Sequence, residues 1–105
     1  MTNTLEAHAS DITYDDINSQ VKIVTWSFKK IRNIIKIYMY FTVTGTLPSN
    51  WHICLLPVRP SGGSFFAITD HTGTVHMGNI EKNGYLHTVG ALPEGNYVID
   101  TVILL

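Results

Sequence analysis

The chain has 105 residues, enough for one domain built on a single core, and combines 45% hydrophobic residues with only 14% charged ones. An ordinary soluble domain carries about 25% charged residues, so this one has few charges with which to cover its surface. The formal net charge of -1 supplies no concentrated cationic footprint and excludes nucleic acid as a partner. Cys54 is the only cysteine, which excludes an intrachain disulfide framework; in the run Ile53-Cys54-Leu55-Leu56 it is expected to be a buried structural residue. The N-terminus lacks the basic start and apolar run of a signal peptide. The longest apolar stretch, Ile34 to Val43, is broken by Lys36 and falls short of the ~20 residues of a membrane span, so no membrane insertion is expected.

Residues 1–20 form a polar lead-in with Leu5, Ile12 and Ile17 as its apolar anchors, expected as a linker or arm from an upstream shaft. From residue 21 the hydrophobic period is two almost throughout, and residues 21–105 are expected as one β domain. Val21 to Phe28 reads as a strand with Val24, Trp26 and Phe28 on one face, which places Trp26 in the core. Lys29-Lys30 is the expected turn into Ile31 to Val43, where Ile31, Ile35, Ile37, Met39, Phe41 and Val43 alternate with Arg32, Lys36, Tyr38, Tyr40 and Thr42. Leu47 to Asn50 reads as a loop, Trp51 to Leu56 as a strand and Pro57 to Gly63 as a corner. Phe65 to Thr69, Thr74 to Ile80 and Tyr85 to Val89 follow as strands, separated by turn chemistry at Asp70-His71-Thr72-Gly73 and by a type I′ hairpin at Asn83-Gly84. Pro93 to Asn96 is the last turn and Asn96 to Leu105 the last strand. Short strands at this spacing predict an all-β fold, a small antiparallel β-barrel or jelly-roll-like sandwich.

Several strands are apolar on both faces. The last carries Tyr97, Ile99, Ile103 and Leu105 on one parity and Val98, Val102 and Leu104 on the other. One face fills the core, and the second requires either a central position in a closed monomer or another copy of the chain. With so few charges, the expectation is a homotrimer.

Five histidines raise the question of a metal, but no pair has an established ligand spacing and no acidic companions flank His76 or His87. A catalytic Cys54–His pair needs a polar, partly exposed thiol, which Ile53 and Leu55 argue against. The residue types suit a saccharide better, because a sugar presents an apolar ring face to aromatics and hydroxyls to planar polar groups. Trp51, Trp26 and Tyr85 are candidate platforms; Asp70, His71, His76, His87 and Arg59 are candidate polar partners.

A series of short phrases carries a family likeness: a strand ending at Gly45, Leu-Pro-Ser-Asn-Trp at 47–51, Leu-Leu-Pro-Val-Arg-Pro at 55–60, the segment Ser64 to Asp70, and Glu-Lys-Asn-Gly-Tyr at 81–85. In this order, over roughly residues 20–105, they resemble the C-terminal head domain of receptor-binding proteins from the tails of phages that infect Gram-positive bacteria. The resemblance implies a non-catalytic trimeric head without cofactor or metal, located on the virion at the tail tip or baseplate and joined to an upstream shaft. It implies host cell-wall saccharide as ligand, held by His, Asp, Arg and Trp side chains near protomer boundaries. His76 matches the strand that leads into the Asn-Gly hairpin, with Tyr85 and His87 on its partner strand. The acidic companion of that histidine is missing from His76-Met77-Gly78-Asn79, which implies either that Asn79 or Asp70 substitutes for it or that the head recognises a different sugar. The expected saccharide site is therefore His76, Tyr85, His87, Trp51, Asp70 and His71. The alternatives are a structural trimerisation knob or decoration domain without ligand, and a carbohydrate-binding module of a cell-wall hydrolase.

Overall fold

The structure is a computed structural model that describes residues 10–62 and 64–105. Eight antiparallel strands form one sheet: β1 (Ser10–Ile12), β2 (Val21–Ile31), β3 (Ile34–Val43), β4 (His52–Leu55), β5 (Ser64–Asp70), β6 (Val75–Ile80), β7 (Tyr85–Thr88) and β8 (Gly95–Leu104). The spatial order is β1-β2-β3-β8-β5-β6-β7-β4, so the last strand returns to the middle of the sheet. The edge strands come together where Asp15, just after β1, exchanges both backbone hydrogen bonds with Leu55 of β4, at 2.8 and 3.2 Å. The sheet thus curls into a small barrel-like domain, the all-β class expected, with one continuous sheet in place of two packed layers.

The alternation in β3 decides the inside. Ile35, Ile37, Met39, Phe41 and Val43 are buried, and β8 sets Tyr97, Ile99 and Ile103 beside them. Phe66 and Ile68 of β5, Ile80 of β6 and Leu86 of β7 complete the lumen. Gly78 sits opposite Phe66 because a Cβ there would come within 2.5 Å of the Phe66 ring. Cys54 is fully buried in this core, and loss of hydration pushes its thiol up to about 12.

Several local expectations are corrected. β2 runs through Lys29 and Lys30 to Ile31, and the hairpin turns at Arg32-Asn33, where Arg32 takes φ of 56°. Trp26 is 40% exposed, not buried in the core. Trp26 keeps the inward parity of Phe28, opposite Met39, and stacks on the Phe28 ring with centroids 5.2 Å apart while the edge of Tyr14 packs 5.2 Å away. Three-residue β1 ends opposite Phe28, so among the described residues no strand pairs with β2 beside the indole. The hairpin at Asn83-Gly84 is not a two-residue type I′ turn. Gly84 N–H donates to Glu81 O and Glu81 N–H to Tyr85 O, and within this loop only Gly84 has positive φ. The Asp70 to Thr74 turn repeats that pattern with Gly73. Residues 10–20, expected in the polar arm, contribute β1 and the Asp15 bridge to the barrel; the remainder of the expected arm, residues 1–9, lies outside the described residues.

The outer face keeps the second apolar parity of the central strands. Tyr38 on β3, Phe65 on β5, Met77 on β6, and Val102 and Leu104 on β8 are all exposed in the single chain. Among the described residues no helix is long and apolar enough to cross a membrane.

Candidate functional site

The six expected site residues fall into two groups on different faces of the sheet. His76 pairs with Ile68 and Asp70 with Tyr97, and both partners face the lumen. Asp70 and His76 therefore close the barrel at the end where β8 begins. His76 Nε2 lies 3.1 Å from Asp70 Oδ2, and its ring meets Tyr97 edge-on at 5.6 Å. Asp70 Oδ1 accepts from the Thr72 hydroxyl at 2.6 Å and from the N–H groups of Thr72 and Thr74 at 2.9 Å each. The Thr72 hydroxyl first, then His76 and the backbone donors, hold the carboxyl well below its usual range, against an opposing effect of burial. The carboxylate's lone pairs are thus engaged in organising its own turn. His71 projects from the tip of that turn as an exposed residue.

Tyr85 and His87 point to the other side. On β6 the residue opposite His87 is Asn79, of outward parity, whereas His76 shares the inward parity of Gly78 and Ile80. The structure thus separates His76 from Tyr85 and His87 and joins a different histidine to them. His52 of β4 is the register partner of His87 and stacks on Tyr85, with centroids 4.3 Å apart and planes within 21°. Sequence reading passed over His52 because its stacking partner lies 33 positions away; its position just after Trp51 was the available signal. His87 is buried, its Nδ1 3.1 Å from Thr88 O. A carbonyl can only accept, so Nδ1 carries the proton and Nε2 is left facing Glu81 Oε1 at 3.6 Å. Asn79 Oδ1, beside this group, is buried and lacks a hydrogen-bond partner.

Trp51 and His52 open onto a cleft of about 330 Å³ whose other walls are Ile17, Asn18, Ser19 and Gln20. Asn18 is tied in place by donating from Nδ2 to His52 O at 2.7 Å while its Oδ1 accepts from Gln20 N–H at 3.0 Å. Gln20 Nε2 reaches the carbonyls of Thr44 and Thr46 at 3.1 and 3.3 Å. The two carboxamides are thereby oriented along one wall, and the indole, half exposed, stands along another. This wall comes from the segment expected to be a linker, so composition alone gave no reason to place it at a site.

Chemically the cleft offers a flat apolar face, an imidazole stacked on a phenol, and fixed amide groups, which suits an uncharged polyhydroxyl ligand. Among the described residues no three His, Cys, Asp or Glu side chains converge to hold a metal ion. Burial leaves Cys54 little thiolate at neutral pH, and among the described residues no ring nitrogen is its hydrogen-bond partner, so the environment described is not that of an activated nucleophile. No protein-family model matches the chain, and no curated protein matches it in sequence.

Proposed function

We propose that the chain is a receptor-binding head domain of a phage tail, a homotrimer that holds host cell-wall saccharide and leaves it chemically unchanged. The observation that carries this reading is the Trp51–His52 cleft, backed by the Tyr85 stack and walled by oriented carboxamides. Its volume is at the small end of the roughly 300–1,000 Å³ typical of ligand clefts, which suits one sugar unit with its linkages still in solvent. Such a site is weak alone. Three copies on a trimer, and several trimers on a baseplate, raise the effective concentration enough for adhesion.

The reading is tested by retention of the protein on purified host cell wall. Trp51→Ala and His52→Ala are expected to weaken single-site binding roughly tenfold, since losing on the order of 60 Å² of apolar stacking area removes about 1.5 kcal/mol. Both side chains are exposed, so stability is expected to shift by no more than about 0.5 kcal/mol. His76→Ala, on the other face, is expected to retain binding. Undiminished adhesion by Trp51→Ala and His52→Ala would exclude this cleft, and a trimer with no retention at all would favour the structural-knob alternative.

A further inference from the structure

A second cleft, of about 690 Å³, lies at the opposite end of the barrel, where β8 finishes. It is formed by the β2–β3 turn, the start of the described chain and the corner after β4, and three of the chain's seven cationic side chains, Lys30, Arg32 and Arg59, line it. Asp11 is the single acidic residue of the lining, and its Oδ1 is already 2.8 Å from Lys29 Nζ. Among the described residues none of the three lining cations forms an ion pair. With the Asp11 carboxylate paired to Lys29, three cations in one lining outnumber it, raise the local potential and favour an anion.

Two backbone features hold this arrangement. Arg59 follows buried Val58 in a corner braced by the Gly84 turn, where Leu56 N–H donates to Gly84 O at 3.0 Å. Arg32 occupies the positive-φ position of its hairpin, where Asn or Gly is intrinsically favoured over a long side chain. The chain therefore accepts local strain to keep a guanidinium at the mouth of the cleft.

We propose that this barrel mouth is an oxyanion site that takes a phosphate group, with the planar forks of Arg32 and Arg59 donating to its oxygens and Lys30 adding a point charge. Ile12, Pro57 and Val58 provide apolar wall for whatever carbon chain the phosphate bears. The site shares no lining residue with the Trp51–His52 cleft, so it stands whether or not that cleft binds sugar.

The test is a titration of the whole chain, followed by amide chemical shifts, with inorganic phosphate, glycerol 3-phosphate and acetate at constant ionic strength. Saturable shifts at Arg32 and Arg59 are expected for phosphate, and tighter saturation by glycerol 3-phosphate would identify an esterified phosphate as the source. Arg59→Gln is expected to weaken binding about tenfold, the usual scale of a charge-assisted hydrogen bond. Arg32→Asn separates function from folding. It is expected to raise the melting temperature, because Asn tolerates positive φ, while weakening phosphate binding. Absence of saturable shifts, an equal response to acetate, or undiminished phosphate binding by Arg59→Gln would each overturn the proposal. So would a lowered melting temperature in Arg32→Asn together with unchanged binding.

Discussion

Gly84→Ala is expected to be among the most damaging single substitutions in this domain. An added Cβ would lie 2.1 Å from Leu56 O and 2.7 Å from Val58 O, both backbone atoms that cannot swing away as a side chain can. The residue also has φ of 95°, outside the range an L side chain readily adopts. Moving the turn would break the Leu56 N–H to Gly84 O bond and release the corner that carries Arg59. Left-handed strain of about 1–2 kcal/mol and overpacking of about 1–3 kcal/mol together give a loss of about 2–5 kcal/mol. Against a typical stability of about 5–15 kcal/mol, this is a fall in melting temperature on the order of 10–30 °C. Gly90→Ala is the control: nothing lies within 4 Å of its Cβ position, and a shift of less than about 0.5 kcal/mol is expected. Thermal denaturation of both variants checks the pair, and equal melting temperatures would mean that the Asn83-Gly84 turn does not pack on the Leu56–Val58 corner.

Charged substitutions on the outer face are expected to have the second large effect, on assembly with little change in folding. Phe65 and Val102 are 67% and 56% exposed in the single chain, on the outward parity of β5 and β8. A domain with 14% charged residues that leaves such side chains open is poorly covered as a monomer. Under the proposed assembly, the native protein has about three times the 11.7 kDa chain mass by light scattering, and Phe65→Glu with Val102→Glu lowers it to that of one chain. Because both positions point away from the lumen, the double variant keeps its β circular-dichroism spectrum. A native protein that is monomeric at micromolar concentration would remove the trimer, and with it the multivalent basis of adhesion.

Much of the barrel was legible because period-two alternation is strong where a strand has one buried face. β3 and β8 lie close to their expected bounds, since Ile35 to Val43 and Tyr97 to Ile103 alternate without interruption. What escaped depended on one-residue events or on distant pairing. The bulge at Val24 interrupts the alternation of β2, and nothing in Val-Thr-Trp-Ser-Phe marks an extra residue. Trp26 keeps the face of Phe28 but is left partly exposed because β1 ends opposite Phe28. Arg32 at positive φ disguised a two-residue turn inside what reads as a continuous strand, so the turn was expected three residues early at Lys29-Lys30. The candidate site was legible in residue type but not in grouping. Trp51, Tyr85 and His87 lie together around His52, whereas His76 and Asp70 belong to the opposite face, because strand parity at β6 sends His76 inward and Asn79 outward.

The central claim is that the Trp51–His52 surface recognises a cell-wall sugar, and mapping the amide chemical shifts of the native protein during titration with a host cell-wall oligosaccharide tests it most directly. The account predicts saturable shifts concentrated at Asn18, Gln20, Trp51, His52, Tyr85 and His87, with the Asp70–His76 pair on the other face undisturbed. Shifts confined to Asp70, His71 and His76, or no saturable shift at concentrations up to several millimolar, would contradict it.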